Sequence, residues 1–164
     1  MIIYILRHAI AVNRGTFGYP DDERPLTQEG KEKMSKAAKG IAKLIANVDV
    51  ILTSPLPRAH DTAVIAARAL RAENNLEICK ELAPGGSLKN LMTYLGKYKG
   101  LGSVMLVGHE PDLGIIASSL LRCEDSIIEF KKGSICCIEV PTLPPRSKGT
   151  LHWHLQPKHL RALA

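Results

Sequence analysis

An arginine–histidine pair, Arg7-His8, stands where the apolar run over residues 1–6 gives out. A second apolar run ends in Thr53-Ser54-Pro55, with Arg58 three residues further on, and a third ends in Gly108-His109. Arginine grips a phosphate or carboxylate through a planar fork of donors. Histidine can act as nucleophile, acid or base near neutral pH. Two arginines and two histidines brought together suit phosphoryl transfer, in which the migrating group spreads its charge over three equatorial oxygens. Catalysis is then mostly positioning and electrostatic stabilisation. Arg7 and Arg58 would clamp those oxygens, one histidine would attack phosphorus in line, and the other would stabilise the group from another side. Because the protein itself supplies the cations, neither a metal nor a cofactor is expected.

This chemistry requires that the residues share one edge of the fold. Apolar runs over residues 2–6, 48–52 and 103–107 read as buried strands, with weaker strands at 133–140 and 150–155 and a short extended piece at 76–82. Between them the apolar period changes to that of a helix. One helix starts after the candidate N-cap Thr27, carries Met34, Ala37, Ala38, Ile41, Ala42, Leu44 and Ile45 on one side, and closes at Asn47. Others cover 57–70, a stretch after the N-cap Ser87, a stretch opened by Pro111, and the tail 157–164. Strands alternating with helices predict an α/β fold with a largely parallel sheet, as a single domain over residues 1–164. Ligands bind outside the carboxyl ends of the strands in such sheets, and the reactive residues fall at those ends. A helix N-terminus near Arg58 would add partial positive charge.

Composition bounds the alternatives. The 164 residues are enough to bury a substantial core. Aromatic residues make up 4% of the chain, which disfavours stacking on nucleic-acid bases, and the net charge of +6 reads as a basic solvated surface compatible with anionic substrates. No segment has the length for a membrane span, and the opening apolar run is too short and lacks the basic flank of a signal peptide. Cys79, Cys123, Cys136 and Cys137 form no Cys-x-x-Cys pair, so they read as free thiols in a reducing cytoplasm.

Leu6-Arg7-His8-Ala9 resembles the Arg-His-Gly signature of the histidine phosphatase superfamily, which includes the phosphoglycerate mutases. Pro25-Leu26-Thr27-x-x-Gly30, Thr53-Ser54-Pro55-x-x-Arg58-Ala59-x-x-Thr62-Ala63 and Val107-Gly108-His109 follow in the family's order. The short length and the alanine at position 9 resemble the SixA-type phosphohistidine phosphatases in particular. The resemblance implies a three-layer α/β/α, phosphoglycerate mutase-like fold. It implies His8 as the nucleophile that becomes phosphorylated, Arg7 and Arg58 as phosphoryl ligands, and His109 as completing the phosphate pocket. Glu81 falls about where many members carry the acid that protonates the leaving group. Asn13 is the nearest candidate for a phosphate-binding asparagine, although Arg14 occupies the position that spacing would select. Alanine in place of the signature glycine matters only if the backbone at position 9 needs a positive φ.

The implied activity is a metal-independent phosphohistidine phosphatase acting on a histidine-phosphorylated phosphotransfer or phosphocarrier domain. It would be a cytoplasmic monomer with no nucleic-acid or membrane partner. A short loop after the first strand leaves no room for a lid, and an open site admits a protein surface. A phosphoramidate can also be protonated on its leaving nitrogen before cleavage, which lowers the demand on an acid. Two other readings use the same residues: a phosphatase of a small phosphomonoester, and a non-catalytic module that binds phosphorylated partners. His60 should point away from Arg58, roughly 200° round an ideal helix. His152 and His154 should share a strand face without a third metal ligand. Gly85-Gly86-Ser87 lacks the lysine of a nucleotide phosphate loop.

Overall fold

In the computed structural model, which describes residues 1–125 and 128–164, the apolar runs assemble into one six-stranded sheet. The strands are β1 (Ile2–Arg7), β2 (Val50–Thr53), β3 (Leu76–Ile78), β4 (Ser103–Gly108), β5 (Ile135–Glu139) and β6 (Thr150–Leu155), in the order β3-β2-β4-β1-β5-β6. The first four in that order run parallel, whereas β5 is antiparallel to β1 and β6 to β5. Alternation along the strands divides the core into two. Ile3, Ile5, Leu52 and Leu106 pack with α3 (Leu88–Leu95) and α4 (Asp112–Leu121) on one face. Leu6, Ile51, Met105 and Val107 pack with α1 (Gln28–Leu44), α2 (Pro57–Leu70) and α5 (Pro157–Leu163) on the other. This is the expected three-layer α/β/α arrangement with a largely parallel sheet.

Helix starts follow the caps. The Thr27 hydroxyl accepts from Gly30 N at 2.9 Å, and Ser87 accepts from Asn90 N at 3.3 Å. The ends depart from the sequence pattern. Helix α1 stops at Leu44 rather than Asn47, because Ile45 is already extended while it and Val48 turn into the core. Only Leu76–Ile78 of the extended piece pairs with β2, and Lys80–Leu82 forms a 3-10 turn. Strand β5 begins at Ile135, since Gly133, at φ +81°, turns its amide back to the carbonyls of Arg7 and His8. In β6 a register shift near His152 interrupts the alternation. His152 bonds Glu139 at 2.9 Å, whereas the His154 ring lies 5.2 Å from that of Phe130. Among the described residues no cluster of three or more metal-ligating side chains is present, and no helix is long and apolar enough to cross a membrane. All four cysteines are free.

The contact between α1 and the loop after β1 is close enough to need a glycine. A Cβ on Gly30 would sit 2.0 Å from the carbonyl oxygen of Ile10, which also accepts from Thr27 N at 3.0 Å. Gly30→Ala therefore forces α1 away from the loop that follows His8. The clash outweighs alanine's better helix propensity, and a loss of about 1–3 kcal/mol is expected as a lower urea midpoint at unchanged slope.

Candidate active site

Strand β4 sets the positions of the two chain segments beside it. As β1 ends, His8 N donates to Gly108 O at 3.0 Å. As β2 ends, Ser54 N donates to Val107 O at 2.9 Å. Ladder pairing thus continues one residue past each strand and brings the three carboxyl ends together. Arg58 enters from the first turn of α2, whose N1 is Pro57. A further link ties these pieces: Ala9 N donates to Thr62 Oγ1 at 3.0 Å, and the same hydroxyl donates to Arg58 O at 2.7 Å. The rings of His8 and His109 are 5.1 Å apart. Arg7, His8, Arg58 and His109 all line one cleft of about 250 Å³.

The guanidinium groups are held by main-chain oxygens. Arg7 Nη1 donates to Phe130 O, and Arg58 Nη1 donates to Asp21 O at 2.8 Å. Arg14, Arg24 and Lys132 add three more cations to the cleft wall, where Glu110 is the one carboxylate among the described lining residues. Glu110 is committed elsewhere: Oε1 accepts from Phe130 N at 2.7 Å and Oε2 from Gly114 N at 3.1 Å. Asp21 joins Arg14 and Arg24, each at 2.9 Å through Oδ1. Buried side-chain nitrogens without a protein partner include Arg7 Nε, Arg58 Nε and His109 Nδ1, all on cleft residues. A site with surplus positive charge and spare donors is built for an anion.

Both histidines are neutral here. Burial draws the His8 imidazole down to about 3, against the opposing effect of its bond to Ala9, with His109, Arg58 and Arg7 lowering it further. Burial, Arg58 and Arg7 draw His109 down to about 4. His8 Nδ1 lies 2.7 Å from Ala9 O. A carbonyl can only accept, so the proton is on Nδ1 and Nε2 keeps its lone pair. An uncharged imidazole with a free Nε2, beside an anion site, can attack phosphorus. His109 Nε2 meets Ser54 Oγ at 2.8 Å, and that hydroxyl already accepts from Leu56 N at 3.3 Å.

Over residues 3–83 the chain matches the histidine phosphatase superfamily (branch 1). An uncharacterised protein of Picosynechococcus is 36% identical over 122 residues, 73% of each chain. The chain belongs to the histidine phosphatase superfamily. The phosphohistidine phosphatase SixA of Escherichia coli K12 is 26% identical over 163 residues, covering 98% of this chain and 97% of that one. A structure of the protein histidine phosphatase SixA complexed with tungstate superposes with a TM-score of 0.84 at 25% identity, covering 98% and 99% of the two chains. The phosphoglycerate mutase-like fold of the superfamily is therefore the fold of this chain.

The remaining expected residues divide. Asn13 lines the rim of the cleft, exposed, next to Arg14. Glu81 lies in an adjoining cleft that shares His109 with the first, and its Oε2 accepts from Cys79 Sγ at 3.3 Å. Ala9 has no left-handed backbone, since Arg71 and Arg122 are the non-glycine residues with positive φ among those described, and alanine is accommodated there without strain. His60 is half-exposed beside Asp61. Arg24, Glu110 and Lys132 escaped the sequence reading, although Arg24 directly precedes the Pro25 motif and Glu110 directly follows His109. The charge excess is partly concentrated, with five cations on this one cleft.

Neutral buried histidines make stability depend on pH. Both folded-state values lie below the ordinary 6.5, so their contribution is complete above pH 6.5 and is lost as pH falls toward about 4 for His109 and about 3 for His8. From pH 6.5 to 5 each should cost about 2 kcal/mol. Thermal melts in phosphate-free buffer should show this fall, and His8→Asn should flatten it by about half.

Proposed function

We propose that this protein is a phosphohistidine phosphatase that dephosphorylates a histidine-phosphorylated protein through a covalent intermediate on His8. The observation that carries the reading is a neutral His8, with Nε2 unprotonated, in a cleft whose guanidinium groups donate to carbonyl oxygens and whose cations outnumber its carboxylates. Arg7 and Arg58 hold the phosphoryl oxygens, and His8 Nε2 attacks phosphorus as the bond to the substrate nitrogen breaks. Water then attacks the phosphoenzyme, releasing phosphate and returning His8 to its starting state. Positive charge around the transferring group stabilises its equatorial oxygens.

The substrate class is supported from two sides. The phosphohistidine phosphatase of Escherichia coli is similar over nearly the whole chain. Among its described lining residues the cleft offers no unengaged acid: Glu110 is held by two backbone amides, and Glu81 faces the adjoining cleft. A phosphoramidate protonated on its leaving nitrogen departs without a strong acid, whereas an alkyl phosphate ester leaves as an alkoxide and needs one. Glu81, approached past His109, is the residue left to serve a more demanding leaving group. Asn13 meets the outer phosphate oxygens at the rim.

Phosphate release from a histidine-phosphorylated phosphocarrier protein, with EDTA present, tests the reading. His8→Ala should abolish release while keeping the native circular dichroism, and the wild type should yield an acid-labile phosphoenzyme on rapid quench. Release from small phosphomonoesters alone would move the substrate to a metabolite. Binding of phosphoprotein without turnover would identify a binding module.

Ser54 controls the second histidine. When its hydroxyl donates to His109 Nε2, the imidazole proton resides on Nδ1, so Ser54 would set the tautomer and orientation of the ring that borders the phosphate cleft. Ser54→Ala should weaken vanadate inhibition about tenfold and move the His109 ring-nitrogen resonances. Unchanged inhibition would remove Ser54 from this role.

A further inference from the structure

A second cleft, of about 100 Å³, opens beside the first. Its apolar floor comes from Ile10, Met34, Ala37 and Pro157, and its edge carries Lys33, Lys132 and Arg161. The two clefts adjoin. Lys132 lines both, and Ala9 in the wall of the second directly follows His8 in the wall of the first, so the two walls are one Cα step of about 3.8 Å apart. Among its described lining residues there is no carboxylate. Lys33 pairs with the exposed Glu29 one helical turn away, an arrangement worth little in water. Gly133 keeps the cleft open at the junction with α5, because at φ +81° it places no side chain between the loop and Pro157.

Size and charge together select the occupant. Pockets for metabolites and cofactors run to about 300–1,000 Å³, several times this volume. A space of about 100 Å³, a few water volumes, takes a single side chain. Three cations at the edge and an apolar floor suit an apolar residue flanked by carboxylates. Resting on the phosphohistidine reading above, we propose that this cleft is a recognition subsite for the protein substrate. It would seat one apolar side chain near the phosphohistidine while Lys33, Lys132 and Arg161 pair with acidic residues of the same segment. Specificity for a phosphoprotein over a small phosphoramidate would then arise beside the reaction centre, with the phosphoryl site common to both.

The test uses Lys33→Gln/Arg161→Glu, which leaves Lys132 and the phosphate cleft intact. Steady-state kinetics are measured on a histidine-phosphorylated phosphotransfer domain bearing acidic residues near its histidine, and on free phosphoramidate. The expected result is a KM about tenfold higher for the protein substrate, a shallower dependence of that KM on salt, and unchanged kcat and KM for phosphoramidate. In parallel, the Met34 methyl resonance of catalytically inactive His8→Ala should shift on adding the phosphorylated domain, and shift less with Arg161→Glu in the same chain. An unchanged KM for the protein substrate with a stationary Met34 methyl overturns the subsite and leaves the phosphatase reading standing. Equal losses on both substrates also overturn it, since the variant then acts through the phosphate cleft. A wild-type protein that turns over phosphoramidate but no phosphoprotein overturns the underlying reading and the subsite with it.

Discussion

Two guanidinium groups held by uncharged acceptors, Arg58 buried and Arg7 partly so, are the constraint around which the rest of this structure is arranged. A carboxylate partner would fix an arginine equally well and would also cancel its charge. The carbonyls of Phe130 and Asp21 fix Arg7 and Arg58 while leaving that charge available. Partly buried cations that outnumber the carboxylates around them are costly, and binding an anion relieves that cost. The same field accounts for the imidazoles. Burial already disfavours their protonation, and the neighbouring arginines lower it further, so both rings stay neutral where a free histidine would be partly charged.

Holding this arrangement requires loops from distant parts of the chain. The carbonyl that holds Arg7 comes from residue 130, more than a hundred positions away, and the same residue's amide takes one oxygen of Glu110. Phe130 is fully buried, so its ring anchors a backbone whose two polar groups serve the cleft. Asp21 has a corresponding part on the other side: its carbonyl holds Arg58, and its carboxylate gathers Arg14 and Arg24. Phe130 lies in a loop and Asp21 opens a short 3-10 turn, each fixed by packing or pairing, and the regular elements between them supply the frame.

That division explains what could be read in the amino-acid order. Strands β1, β2 and β4 and the residues at their ends were legible because apolar runs followed by Arg, Ser or His are local patterns. Helix α2 matched to the residue because Pro57 marks its first turn and its apolar period runs unbroken to Leu70. The end of α1 was not legible, since Ile45 continues the helical period yet its backbone is drawn straight by the turn into β2. The bulge at His152 depends on pairing with β5, which no period within β6 records. Within the cleft, Arg7, His8, Arg58 and His109 follow from strand ends. The contributions of Arg24, Glu110 and Lys132 arise from loop closure, which single-sequence periodicity does not contain. Glu81 shares a cleft with His109, where the 3-10 turn places its carboxylate against Cys79, a position no local period records.

The buried face of α2, packed against α1 and the sheet, carries Ala59, Ala63, Ala66 and Ala67, each fully buried. Small side chains bring a helix axis nearer to its neighbours than leucine or valine would, and the closeness of α2 governs how deep its first turn, with Arg58, reaches into the cleft. The helix therefore behaves as a rigid lever whose height is set by methyl groups up to nine residues from the arginine. Natural variation that adds bulk at Ala66 or Ala67 would retract the guanidinium without altering any residue that meets an anion. The reach of Arg58 into the cleft thus depends on steric spacers in the core, and a catalogue of contact residues alone would leave them out.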